Sequence, residues 1–227
     1  MDRPLAQIRE RIAAAARIAR REAEDIVLVA VSKTQPAEAI RPLIAQGQRV
    51  FAENRVQEAQ AKWPGLRAET PGIALHLVGQ LQSNKADDAV ALFDAIHSLD
   101  RPSLLAALAR AMDKAARRVP CFVQVNIGEE AQKGGCAIAA LPALVAEARA
   151  ADIPLAGLMC VPPEGIEPAP FFAFLAKLAD DNGLAGLSMG MSGDFETAVM
   201  LGATHVRVGT ALFGERTGTS RQGQFRS

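Results

Sequence analysis

Two spacings of apolar residues alternate along the chain. Leu5, Ile8, Ile12, Ala15/Ala16 and Ala19 recur at helical spacing, which predicts a leading helix over residues 3–23 with a charged outer face. Ile26–Ser32 is a continuous apolar run and predicts the first strand. Pro36, the apolar positions Ile40, Leu43 and Ile44, and Gly47 then mark the start, face and end of a helix. The same alternation gives strands at Arg49–Ala52, Ala74–Gly79, Phe93–Ser98, Val119–Ile127, Leu155–Val161, Gly186–Gly190 and Thr204–Val208. Between them, Asn54-Arg55-Val56-Gln57 resembles a capping box opening a helix to about Lys62, and Ser83 opens another to about Leu92. Further helices are carried by Leu104, Leu108 and Met112, by Leu144, Val145 and Ala148, by Phe171, Phe174 and Leu178, and by Gly193–Leu201. Trp63–Gly72 and Gly128–Gly135 are expected as loops, and Thr217–Ser227 as a frayed polar tail.

Eight short strands alternating with seven helical segments, behind one extra helix, imply parallel pairing with right-handed crossovers. That count, in 227 residues, predicts a closed (β/α)8 TIM barrel with an extra N-terminal helix, an α/β fold. A doubly wound open sheet is disfavoured because no G-x-G-x-x-G follows the first strand. No linker-like change of composition divides the chain, so residues 1–227 are expected to form one domain.

Composition narrows the function classes. The 25 basic and 25 acidic residues balance, leaving no field to collect nucleic acid or an anionic membrane. Cys121, Cys136 and Cys160 form no CxxC pair and are odd in number, as expected of small buried free thiols in a reducing compartment. The Arg-rich N-terminus lacks a signal-peptide core, and Asp2, Glu10, Glu22 and Glu24 argue against a transit peptide. No stretch is long and apolar enough to span a bilayer. The expectation is a soluble cytoplasmic protein.

Chemistry concentrates at the predicted strand ends, where barrels of this type place their sites. The first strand delivers Lys33, and a cation there is costly unless paired or chemically used. An amine is also the group that forms a Schiff base with a carbonyl. The seventh strand runs into Ser188-Met189-Gly190-Met191-Ser192-Gly193-Asp194, and the eighth into Arg207-Val208-Gly209-Thr210. Glycine backbone, the hydroxyls of Ser192 and Thr210, and a helix start suit a phosphate there. Plainer readings compete: Ser192 as an N-cap, Arg207 in an ion pair with a carboxylate such as Glu53, and Asn54 as a helix cap. His76, His97 and His205 are too scattered for a metal site or triad and are expected to be structural. Gln82, Asn84 and Lys85 cluster after the third strand, as either a solvated helix start or a ligand contact. Lys33 facing phosphate loops points to a phosphorylated carbonyl compound held as an imine, either pyridoxal 5′-phosphate or a sugar phosphate in a Schiff-base aldolase.

Longer motifs carry a family resemblance. They are Ala30-Val31-Ser32-Lys33-Thr34, Glu53-Asn54-Arg55-Val56-Gln57-Glu58, and the run from His76 through Gly79-Gln80 to Asn84-Lys85. Val125-Asn126 with Glu130 and Lys133-Gly134 follow, then Gly157-Leu158-Met159, Leu187–Asp194 and Val206–Gly214. In this order the chain resembles the pyridoxal-phosphate homeostasis protein family, a single-domain relative of the barrel half of alanine racemase. The resemblance implies that Lys33 carries pyridoxal phosphate as an internal aldimine. It places Ser192, Gly209 and Thr210 on the phosphate, Arg207 beside the pyridine nitrogen, Asn54 near the phenolic oxygen and Met159 close to the ring. It also puts Lys133 at a lysine thought to influence cofactor transfer. Two departures, Ala52 in place of a usual glycine and Cys160-Val161 in place of Ala-Ile, touch none of the cofactor atoms so implied.

The resemblance also bears on catalysis. An arginine at the pyridine nitrogen disfavours ring protonation and leaves a poor electron sink. Alanine racemase works with that arrangement because a lysine and a tyrosine serve as bases on opposite faces, whereas this sequence has no tyrosine and ends without the racemase's second domain. The expectation is therefore a non-enzymatic monomer that buffers or delivers pyridoxal phosphate and meets pyridoxal-phosphate-dependent apo-enzymes transiently. The alternative is a racemase-like enzyme acting on amino acids.

Overall fold

In the computed structural model, which describes residues 4–214, eight parallel strands close into a barrel in strict sequence order. They are β1 (Val27–Val31), β2 (Val50–Glu53), β3 (Ala74–Leu77), β4 (Ala95–Leu99), β5 (Cys121–Gln124), β6 (Leu155–Met159), β7 (Gly186–Ser188) and β8 (His205–Val208). Closure is made by β8 against β1, where Val29 is the register partner of Arg207 and Ala30 of Val208. The (β/α)8 barrel expected from the sequence is the fold.

Helix α1 (Pro4–Ile18) precedes the barrel; α2 (Ala37–Ala45), α3 (Val56–Glu69), α4 (Ala86–Leu92), α5 (Pro102–Ala115), α6 (Leu141–Ala150), α7 (Ala169–Asp181) and α8 (Phe195–Met200) cross between strands. A short helix, α9 (Thr210–Phe213), follows β8 and adds one segment to those expected. Helix α1 stops earlier than its periodicity predicts, and Arg20 turns the chain with φ 56°. Its buried stripe, Leu5, Ile8, Ile12, Ala15 and Ala16, lies against α8 and α9. Arg11 fastens it there, pairing with Glu196 at 2.7 Å and lying over the Phe195 ring.

The largest correction is α3. Trp63–Gly72 was expected as a loop, yet the helix continues to Glu69 through Pro64. Val56, Ala59, Trp63 and Leu66 fall on one buried face, and the Trp63 indole N–H donates to Glu53 at 3.0 Å. Burying so large an apolar side chain contributes about 3 kcal/mol. That is comparable with the roughly 3 kcal/mol a proline costs inside a helix, so the packing can carry the helix past Pro64. Strand β5 is shorter than its apolar run because Val125 and Ile127 are buried in the following loop, where Val125 bridges to Cys136.

Apolar packing occupies two places. Phe51, Leu75, Leu77, Ile96 and their neighbours form the layer between barrel and helices. The barrel interior is filled differently: Val29, Ala52, Phe122 and Met159 are buried there with the polar residues His76, His97, Ser188 and Arg207. Among the described residues no helix is long and apolar enough to cross a membrane. The three cysteines are free and buried, and burial raises the thiols of Cys121 and Cys160 to about 12 and that of Cys136 to about 11. Thiols held there are poor nucleophiles at neutral pH.

Candidate functional site

One cavity of about 500 Å3 opens at the C-terminal ends of the strands. Its lining includes Lys33, Asn54, Met159, Ser192, Arg207, Gly209 and Thr210, so all seven residues singled out in the sequence meet in one place. Lys33 is exposed and sits two residues beyond the end of β1, in a turn whose next residue, Thr34, has φ 62°. Val31, Val78, Met191 and Phe213 add apolar walls. Among the described lining residues, Lys33 and Arg207 are the ionisable ones.

The loops after β7 and β8 form a cup on one side. The Ser192 Oγ accepts the N–H groups of Gly209 and Ala211, each at 3.3 Å, so Ser192 joins the two loops. It does not cap α8, as one sequence expectation had it; Asp194 holds the N-cap position, and its carboxylate accepts the Met191 N–H at 2.5 Å. The Arg207 N–H donates to the Gly190 carbonyl at 2.9 Å and fixes the cup to the barrel wall. The N–H groups of Ser192, Gly193 and Thr210 have no acceptor among the described residues. Helices α8 and α9 are too short to add much dipole, so these individual donors are what the cup offers an oxyanion.

Arg207 lies on the cavity floor, 4% exposed. The expected ion pair with Glu53 does not form, because Glu53 takes Lys62 instead at 2.7 Å. Arg207 donates to Ser188 Oγ at 2.7 Å and to the Cys160 carbonyl at 2.8 Å, both uncharged. Burial lowers its pKa, opposed by Cys160 and Asp194. The cation thus faces the cavity without a carboxylate partner among the described residues.

The histidines also differ from expectation. They are not scattered: His76 and His97 approach to 3.1 Å inside the barrel, His97 reaches Ser188 at 2.8 Å, and the His205 ring lies 5.8 Å from that of His97. A guanidinium can only donate, so Ser188 Oγ accepts from Arg207 and keeps both its own hydrogen and a second lone pair for His97 Nδ1. In either tautomer of His97, one chain of hydrogen bonds joins Arg207, Ser188, His97 and His76. Burial first, with neighbouring positive charge after it, holds His97 well below its usual pKa and His205 at about 4. Burial also holds His76 at about 4. Among the described residues no cluster of His, Cys, Asp and Glu suits a metal ion.

Asn54 follows β2 and is not the cap of α3; Arg55 occupies that position, and Asn54 is left to line the cavity. Met159, buried at the end of β6, lies in the lining as well. Lys133 lines a neighbouring cavity of about 650 Å3 that shares Val161, Met191 and Gly193 with the first. Its amine bonds the Pro162 carbonyl at 2.9 Å and approaches Glu130 at 2.6 Å. Gln82, Asn84 and Lys85 stay outside both cavities, in the turn that opens α4. The local sequence assigns no site role to Ser188 or Lys62, and only a structural one to His97. Ser188 and Arg207 each sit on a short strand with inward parity, a signal that strand alternation holds once the strand ends are known.

Comparison with known proteins bears on this constellation. Residues 5–217 match the family model "Alanine racemase, N-terminal domain". A protein of Pseudomonas aeruginosa named pyridoxal phosphate homeostasis protein is 41% identical over 218 residues, covering 93% of this chain and 94% of that one. The chain belongs to the pyridoxal phosphate homeostasis protein family. The family's Escherichia coli member is 39% identical over 229 residues, covering 93% of this chain and 95% of its own. Among solved structures, PipY of Synechococcus elongatus with pyridoxal phosphate bound superposes with a TM-score of 0.80 at 39% identity. That match covers 91% of this chain and all of PipY's.

Proposed function

We propose that the chain binds pyridoxal 5′-phosphate in the strand-end cavity, attached reversibly to Lys33, and so buffers or delivers the cofactor without turning over amino acids. The observation that carries the reading is the cavity's inventory: one primary amine, a cup of free N–H and hydroxyl donors, and a buried cation in the same lining. The residues fit the cofactor. Ser192, Gly209 and Thr210 would hold the phosphate, and Gly193 presents open space where a Cβ would stand. Arg207 would lie beside the pyridine nitrogen, Asn54 near the phenolic oxygen and Met159 against the ring. When bound, the cofactor supplies an aldehyde. Lys33 would be the amine that holds this aldehyde, through a condensation that releases one water and that water reverses.

Two features argue for holding over turnover. Arg207 meets only neutral partners among the described residues, so its charge opposes a proton on the ring nitrogen and weakens the ring as an electron sink. The described cavity also supplies no acid or base besides Lys33 and Arg207, and the sequence has no tyrosine. The relatives' names, homeostasis proteins and not enzymes, support the same reading. Incubation of the loaded protein with amino acids in deuterium oxide is expected to leave the α-proton in place over hours. Exchange that depends on Lys33 would instead establish a racemase-like enzyme.

A further inference from the structure

A second lysine, outside the cavity lining, is built into the turn that presents the first. Residues Ser32–Gln35 form a closed turn, with the Gln35 N–H donating to the Ser32 carbonyl at 3.1 Å, and Lys33 and Thr34 are its central pair. Thr34 is held in the left-handed region, φ 62°, which disfavours a β-branched residue and persists only when its surroundings fix it. The surroundings do so from α3 and β2. The Thr34 N–H donates to the Glu58 carboxylate at 2.5 Å. The Lys62 ammonium rises from α3 and donates to the carbonyls at both ends of the turn, Ser32 at 3.0 Å and Gln35 at 2.9 Å. It also approaches Glu53 at 2.7 Å and Glu58 at 3.3 Å. Glu53, fully buried, accepts Ser32 Oγ at 2.7 Å as well.

We propose that Lys62 is a positioning residue for Lys33: its side chain, 9% exposed, locks the strained turn that aims the Lys33 amine into the cavity. A buried ion pair is a weak source of net stability, because desolvation offsets much of its attraction. Here the ammonium joins the two carbonyls of the Lys33 turn to two carboxylates, one of which holds Thr34. Every tether ends on the segment carrying Lys33 or on the groups beneath it. Lys62 itself does not line the cavity.

The inference rests on the attachment to Lys33 proposed above, so its test uses two ligands. Pyridoxal 5′-phosphate needs both the cup and the amine, whereas its alcohol analogue, pyridoxine 5′-phosphate, needs only the cup. Lys62→Met is expected to weaken aldehyde binding by about tenfold or more, the scale of loss from misplacing one reacting group. Binding of the alcohol is expected to change less than about twofold, a difference too small to signal a lost contact. Lys62→Arg, which keeps a charged donor, is expected to recover part of the loss. Should Lys62→Met fail to fold, Glu58→Ala frees the Thr34 N–H from the rim of the same network and is expected to give the same selective loss. Equal losses for both ligands, or none for either, would overturn the role of Lys62. A wild-type protein that binds both ligands with equal affinity and forms no covalent link would overturn the Lys33 attachment itself.

Discussion

Acidification from pH 6.5 to 4 is expected to remove several kcal/mol of stability, because histidines are buried neutral inside the barrel. His76 and His205 are each lowered from 6.5 to about 4, chiefly by burial, and His97 is shifted in the same direction. In the unfolded chain these rings take a proton near pH 6.5; in the folded chain they resist it until about pH 4. Between those values the unfolded state binds more protons, so stability falls as pH falls and is fully present above the window. A shift of this size corresponds to roughly 3 kcal/mol for each ring. That is a large fraction of a typical domain's total of about 5–15 kcal/mol. Urea midpoints measured at pH 7, 5.5 and 4.5 check this directly. A midpoint that stays constant across them would contradict a barrel interior that excludes charged imidazole. His205→Asn is expected to reduce the pH slope by about one proton, since it removes one titrating ring.

Gly79→Ala is the second large effect. A Cβ at Gly79 would stand 2.2 Å from the Asn54 carbonyl oxygen and 2.7 Å from the Asn54 Cα. Both are backbone atoms, so no side-chain rotation relieves the overlap, and the end of β2 must move. Overpacking costs typically 1–3 kcal/mol, and a clash with backbone belongs at about the upper end. The displaced segment carries Glu53 and Asn54, so melting temperature and affinity for the phosphorylated ligand are expected to fall together. Gly193→Ala provides the contrast. Its Cβ meets nothing within 4 Å, so the melting temperature is expected to change little, while a methyl group in the cup lowers affinity for a phosphate. If Gly79→Ala melts like the wild type, the contact between the β3 loop and Asn54 is not rigid.

What the sequence makes legible is set by the range of the contacts involved. Strand count and order follow from local apolar runs bounded by glycine, proline and polar turns, and these give the barrel. The seven lining residues lie at strand ends, so the barrel brings them together. Features decided by distant partners are harder to read. Helix α3 passes Pro64 because Trp63 and Leu66 find a buried face and Glu53 accepts the indole N–H. Ser192 and Asn54 look like caps in a local window, but the first bonds the neighbouring loop and the second is displaced by Arg55. His76, His97, Ser188 and Arg207 come from β3, β4, β7 and β8, and only closure places them in one chain of hydrogen bonds. Glu53 chooses Lys62 over Arg207 because α3 brings that lysine beneath β2, a choice made by helix packing.

The central claim is the reversible attachment at Lys33, and the most direct measurement is where borohydride leaves its label. Protein loaded with pyridoxal 5′-phosphate, reduced and digested, is expected to carry one pyridoxyl-phosphate adduct, on the peptide containing Lys33. Lys62, Lys85 and Lys133 are expected to remain unmodified, and Lys33→Ala to show neither adduct nor visible chromophore. An adduct on another lysine of the wild type, or one that survives Lys33→Ala, would contradict the account.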